Sequence, residues 1–242
     1  MKRFPLSPKW ILAHLAVLAT LGLFVTLGMW QLGRLDQRKQ TNDLVRTRAD
    51  APALSLANAL DLGRGEDLRF LRVELDGEYL DQTIFIDNRS YEGAPGSWLA
   101  TPFVTNGLTI LVVRGFVGRA TTLNSDPSSL SPADSIGSLE GLLQPSASGG
   151  GFAIGREGLP AISRPNTNLI ATELDIDLVD AYLQLESPIE DFIAPVSRPS
   201  LDNGPHLGYS LQWFVFALLT PIGYWLILRK ATSVSVGKER VQ

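Results

Sequence analysis

The chain has 242 residues, a formal net charge of −4, two histidines and no cysteine. Disulfides, thiolate nucleophiles and thiolate metal sites are therefore excluded. The mild acidity, with no basic stripe away from the apolar segments, argues against nucleic acid as a partner. The composition fits neither a disordered chain nor a multi-span transporter, but one folded domain with a small number of membrane anchors.

In chain order, Met1–Lys9 carries Lys2, Arg3 and Lys9 and precedes an uncharged run from Trp10 to Met29. That run is too long for a signal-peptide core, and no small-x-small cleavage site follows it. Residues 10–30 are predicted to be an uncleaved transmembrane helix. A second uncharged run, Leu207–Leu228, is stopped by Arg229-Lys230. Pro205 at or near the first helical position, with Gly204 or Asn203 as cap, predicts a helix over 204–228. Two spans put both termini on one side, and Arg229, Lys230, Lys238 and Arg240 after the second select the cytoplasm. The leader is too short for a mitochondrial transit peptide, so a bacterial inner membrane is the expected address. The predicted layout is a cytoplasmic N-terminus (1–9), first span (10–30), periplasmic domain (31–203), second span (204–228) and cytoplasmic tail (229–242).

Within the domain, Trp30–Ala49 is expected to prolong the first helix until Pro52 ends it. Ser55 caps a short helix through Leu60, closed by Gly63. From Leu68 the pattern alternates in steps of two, with strands predicted over Phe70–Gly77, Thr83–Asn88, Ser97–Val104, Thr109–Val117, Leu139–Leu143 and Ile189–Val196. Gly77–Asp81 reads as a strand bend or turn, and Asn106-Gly107 as a hairpin turn. Ala120–Ser138 and Ser146–Gly151 read as loops, and Thr172–Leu183, with Leu174, Leu178, Ala181 and Tyr182 at helical spacing, as a helix. The expected fold class is an α+β membrane protein: two terminal transmembrane helices flanking an antiparallel, β-rich periplasmic domain with a few helices.

Reactive groups are sparse. No lysine occurs between Lys39 and Lys230, and the only histidine besides His14 is His206. Ser-His-Asp, Cys-His and Ser-Lys arrangements and histidine zinc sites are thereby excluded from the domain. Paired carboxylates remain possible, but no spacing singles out a pair. Gly149–Gly151 is neither a P-loop nor a dinucleotide fingerprint.

The two spans run in opposite directions, so Trp30, Gln31 and Arg34 share a membrane depth with His206, Tyr209 and Trp213. In neighbouring helices these residues would suit a flat, amphipathic, acidic ligand such as a haem. His206 would hold the iron, the rings would flank the macrocycle, and Arg34 would bond the propionates. The same residues read equally as an interfacial aromatic belt, with Arg34 on head groups and His206 as a helix cap; residue type and spacing leave both readings open. His14 is sixteen residues before Trp30, ~24 Å along the helix, and cannot share an iron with His206. A helix-packing hydrogen bond is expected of it.

Gly28-x-Trp30-Gln31-x-x-Arg34 with Arg38-Lys39 beyond it resembles the first signature of the Surfeit locus protein 1 family of cytochrome oxidase assembly factors. Gly77-x-Tyr79, Asn88-Arg89 followed by Gly93 and Gly96, and Val113-Arg114-Gly115-Phe116-Val117 are similar to further motifs of that family, in the same order. So is His206-x-x-Tyr209-x-x-x-Trp213-Phe214 in the second span. The family usually has Asn-Arg-Gly-Trp where this chain has Val113-Arg114-Gly115-Phe116, and a tryptophan after the position of Asn166. The resemblance implies a non-enzymatic factor that binds haem a, with His206 as iron ligand. It would assist insertion or retention of the haem in the catalytic subunit of cytochrome c oxidase, its expected partner beside the bilayer and the enzymes of haem a synthesis. The rival readings are a haem-free scaffold that stabilises oxidase subunits and a carboxylate-dependent periplasmic enzyme.

Overall fold

The structure is a computed structural model and describes residues 7–124, 127–132, 138–155, 158–196, 198 and 201–238. Most of the basic leader, parts of the 120–138 loop and the last residues of the tail lie outside the described residues. The chain divides into two compact units, one built from residues 44–200 and the other from the two ends, up to 43 and from 201.

The terminal unit consists of two long helices. Helix α1 covers Pro8–Ala49 (42 residues), although its last turns belong to the other unit, and α5 covers His206–Lys238. Each carries a stretch long and apolar enough to cross a membrane. No proline interrupts α1, so the helix runs on past Trp30 and stops three residues before Pro52, which disfavours helical geometry in the residue preceding it. Helix α5 tolerates Pro221 in its interior. The two run antiparallel in constant register, paired at His206 with Gln31, Ser210 with Gly28, Trp213 with Phe24 and Tyr224 with His14. Small residues permit the approach: a Cβ on Gly28 would lie 2.7 Å from the Phe214 ring.

The other unit is a sheet. Among the described residues its strands are β1 (Leu54–Ser55), β2 (Arg72–Asp76), β3 (Glu78–Tyr79), β4 (Ile84–Tyr91), β5 (Ala94–Thr105), β6 (Leu108–Gly118), β7 (Ser138–Pro145), β8 (Phe152–Ile154), β9 (Pro160–Ile162) and β10 (Ala181–Leu185), and its short helices are α2 (Leu56–Asp61), α3 (Arg119–Asn124) and α4 (Thr167–Leu174). The strand order is β1-β2-β7-β10-β6-β5-β4-β9-β8, with β3 beside β5. Successive residues of β6 point to opposite faces. Ile110 and Val112 therefore join Val73, Phe103 and Leu183 under α2, while Leu111 and Val113 join Ile84, Ile86 and Ile170 of α4. Both faces are covered, which is why the central strands read as continuous apolar runs.

Much of the expected pattern is present. Ser55 caps α2 by accepting from Asn58 N. Asn106 and Gly107 both have positive φ (47° and 78°), as a tight β5–β6 hairpin requires. Three expectations are corrected. The sheet is mixed rather than antiparallel, because β1–β2, β6–β10 and β4–β9 pair in parallel. The helix expected over Thr172–Leu183 is instead α4, capped by Asn166 and ended by Asp175 at φ 51°, followed by strand β10. Residues 189–196 form no strand; Ala194 makes a single bridge to Phe116.

Candidate functional site

The charged and polar end of the helix pair is built by one stripe of α1. Gln31, Arg34, Arg38 and Asn42 recur at spacings of three or four and so share a face. Asn42, only 3% exposed, donates through Nδ2 to the carbonyls of Leu201 (3.0 Å) and Asp202 (3.1 Å). Arg38 Nε donates to the same Asp202 carbonyl at 3.1 Å. Asp202 Oδ1 accepts from Gly204 N at 2.8 Å, and Gly204 takes φ 64°. This left-handed turn delivers the chain into α5 with His206 as its first residue, and Tyr209 N then donates to the Pro205 carbonyl.

His206 Nδ1 lies 2.9 Å from Gln31 Oε1. An Nδ1–H that donates to this amide oxygen leaves Nε2 of the neutral imidazole with its lone pair. A Cβ on Gly204 would crowd that edge of the ring, at 3.2 Å from Cδ2 and 3.4 Å from Nε2. His206, Arg34, Gln37, Arg38, Thr41, Asp202 and Gly204 line a cleft of about 430 Å³. Two guanidinium groups and the His206 imidazole thus share one cleft.

Of the residues singled out in the sequence, His206 and Arg34 thus meet in one cleft. Trp213 packs in the helix pair instead, stacked on Phe24 at 5.7 Å between centroids. Trp30 (57% exposed) and Tyr209 (50% exposed) are not among the residues that line the cleft. His14 makes the helix-packing contact expected of it: Nδ1 is 2.6 Å from the Tyr224 hydroxyl, with the rings edge-on. Asn42 and Asp202 were missed as site residues. The signal available was the recurrence of polar residues along one face of α1, beyond the uncharged run that ends at Met29.

The remaining motif residues hold the sheet unit together. A Cβ on Gly77 would lie 1.9 Å from the Val104 carbonyl oxygen, and one on Gly96 would lie 2.1 Å from that of Val117. Arg114, 0% exposed, pairs with Glu190 and donates to the Leu130 carbonyl at 2.7 Å. Gly115 lets the 193–194 segment approach, since a Cβ there would lie 2.2 Å from Ile193 Cγ2.

A family model described as the SURF1 family matches residues 18–218. An uncharacterised SURF1-like protein of Mycobacterium tuberculosis is 31% identical over 227 residues, covering 91% of this chain and 83% of the other. A SURF1-like protein of Rickettsia felis is 27% identical over 241 residues, covering 91% and 99%. The matched region contains the α1 stripe, the sheet motifs and the start of α5, and the chain belongs to the SURF1 family, known broadly as one of oxidase assembly factors.

Proposed function

We propose that this chain is a membrane-anchored assembly factor that holds haem a at His206 for the maturing catalytic subunit of cytochrome c oxidase. Both termini would be cytoplasmic and residues 31–203 periplasmic, in a bacterial inner membrane. The observation that carries the reading is the 2.9 Å bond between His206 Nδ1 and Gln31. A cap needs no second residue to orient its ring, whereas a ligand imidazole is fixed and made more basic by such a partner. Arg34 and Arg38 line the same cleft and supply cations of the kind that bind propionates. Haem is cargo here, and the residues bind and orient rather than catalyse.

The test is purification of the full chain from a haem a-producing host as wild type, His206→Asn, His206→Met and His206→Ala. A cap would be worth ~1 kcal/mol and be replaceable by asparagine, whereas an iron ligand is not. Wild type should carry pigment, the Asn and Ala proteins should be empty, and the Met protein should keep some pigment with an altered spectrum. An Asn protein with wild-type haem content and an unshifted spectrum would hand the role to a haem-free scaffold.

A further inference from the structure

The sheet unit contains a second polar concavity, of about 490 Å³, on the α4 face. Three guanidinium groups line it, Arg69, Arg89 and Arg164, against one carboxylate, Glu66. Glu66 is fully engaged by Arg69 through two hydrogen bonds (2.5 and 2.6 Å), and that fork holds its carboxyl below the usual carboxylate range. Two positive charges are left over in a chain whose net charge is −4.

The placement of Arg89 is built. The β4–β5 register breaks between Ile86 and Arg89, and Asn88 within the break takes φ 59°. Such bulges re-aim a side chain, and asparagine tolerates this backbone region better than most residues. The guanidinium is thereby laid over the Trp98 ring, 4.2 Å from its centroid. Its Nε is buried and, among the described residues, has no hydrogen-bond partner. Burial, with Arg164 adding its own charge nearby, pushes the Arg89 pKa below its ordinary value. Arg164 is exposed and makes one long bond, 3.4 Å, to the Ser148 carbonyl. The Tyr182 hydroxyl, held as the phenol by burial, adds a neutral donor to the same wall.

Arg89 is half-buried, and its buried Nε has lost water without gaining a partner, a cost that an anionic occupant of the concavity would offset. From this arrangement we infer that the Arg89–Arg164 concavity is a binding site for a phosphate-type dianion, carried by a small phosphomonoester or a phosphomonoester lipid head group. Two guanidinium groups match a dianion in charge and in donor geometry, and a phosphomonoester carries close to two negative charges at neutral pH. The site is independent of His206, whose variants should leave it intact.

The experiment is calorimetric titration of inorganic phosphate into the full chain in phosphatidylcholine nanodiscs, with succinate titrated in parallel. Saturable phosphate binding is expected, weakened about tenfold or more by Arg164→Gln and unchanged by Arg119→Gln, an exposed arginine outside the concavity. Because Arg164 is exposed, its variant reports on the site even if Arg89→Gln fails to fold. Discs containing phosphatidic acid separate the two sources: suppression of the phosphate signal identifies a lipid head group, and an unchanged signal identifies a soluble ester. No binding, equal loss in both arginine variants, or succinate binding as tightly as phosphate would each overturn the inference.

Discussion

Tyr79 shows how a matched motif residue can be there for its ring alone. The ring meets Phe103 edge-on at 5.1 Å, yet among the described residues its buried hydroxyl has no hydrogen-bond partner. Burial raises its pKa well above the ordinary tyrosine value. A folded-state pKa above the unfolded one contributes stability that is present below about 10 and is lost as pH rises beyond it. Tyr182, also raised by burial, acts in the same direction. Tyr79→Phe should therefore leave stability at pH 7 unchanged or raise it by up to ~1 kcal/mol, and should lessen the loss above pH 10. Urea unfolding of the full chain in detergent at pH 7 and pH 11 checks both; a loss beyond ~1 kcal/mol at pH 7 would show that the hydroxyl has a partner. At this scale the sequence was informative about depth and silent about rotation. Counting residues along two opposed helices brings Gln31 and Arg34 level with His206, because each residue rises by a fixed ~1.5 Å. Which side chains turn into the cleft depends on how the helices are rotated against each other, and only packing settles that for Trp30, Tyr209 and Trp213.

At the scale of elements, the close contact of the two long helices rests on Gly28, whose carbonyl accepts from Ser210 Oγ at 3.0 Å beneath the Phe214 ring. Gly28→Ala should force that ring aside and destabilise the helix pair by ~1–3 kcal/mol. Phe214→Leu in the same chain should restore part of the loss, a coupling that a double-mutant cycle in detergent unfolding would measure. Additive effects would mean that the ring yields freely. The misread helix over 172–183 has a physical cause. All five residues of β10 are buried, so this strand shows no alternation, and its apolar residues continue the spacing begun in α4. The stop between them is Asp175 in the left-handed region, the first of the six residues 175–180 that separate α4 from β10, and aspartate gives a weaker stop signal than glycine. Strands β8 and β9 have three residues each, too few to display a period. The parallel pairings join segments distant in sequence, which local patterning does not encode.

For the molecule as a whole, the proposed topology makes a direct prediction. Alkaline phosphatase fused after Gly150, in the loop between β7 and β8, should be active in the bacterial periplasm, and the same enzyme fused after Lys238 should not. The reverse result would put His206 on the cytoplasmic side and remove the proposed haem site with it. The path by which the sheet unit leads into α5 has a mechanical consequence. Going back along the chain from Leu201, Arg198 is paired with Glu186 and with Asp50, at the end of α1. Next, the Val196 carbonyl accepts from Gln184, Ala194 exchanges two backbone hydrogen bonds with Phe116, and Glu190 holds buried Arg114. A tug on the second span would meet these fastenings one at a time, the exposed charged pairs first and the buried one last. Screened surface pairs are worth ~1 kcal/mol or less, whereas breaking a buried one costs ~3–5 kcal/mol. Tension from a moving partner would therefore peel the connecting strap from its outer end and stall at Arg114, leaving the sheet intact.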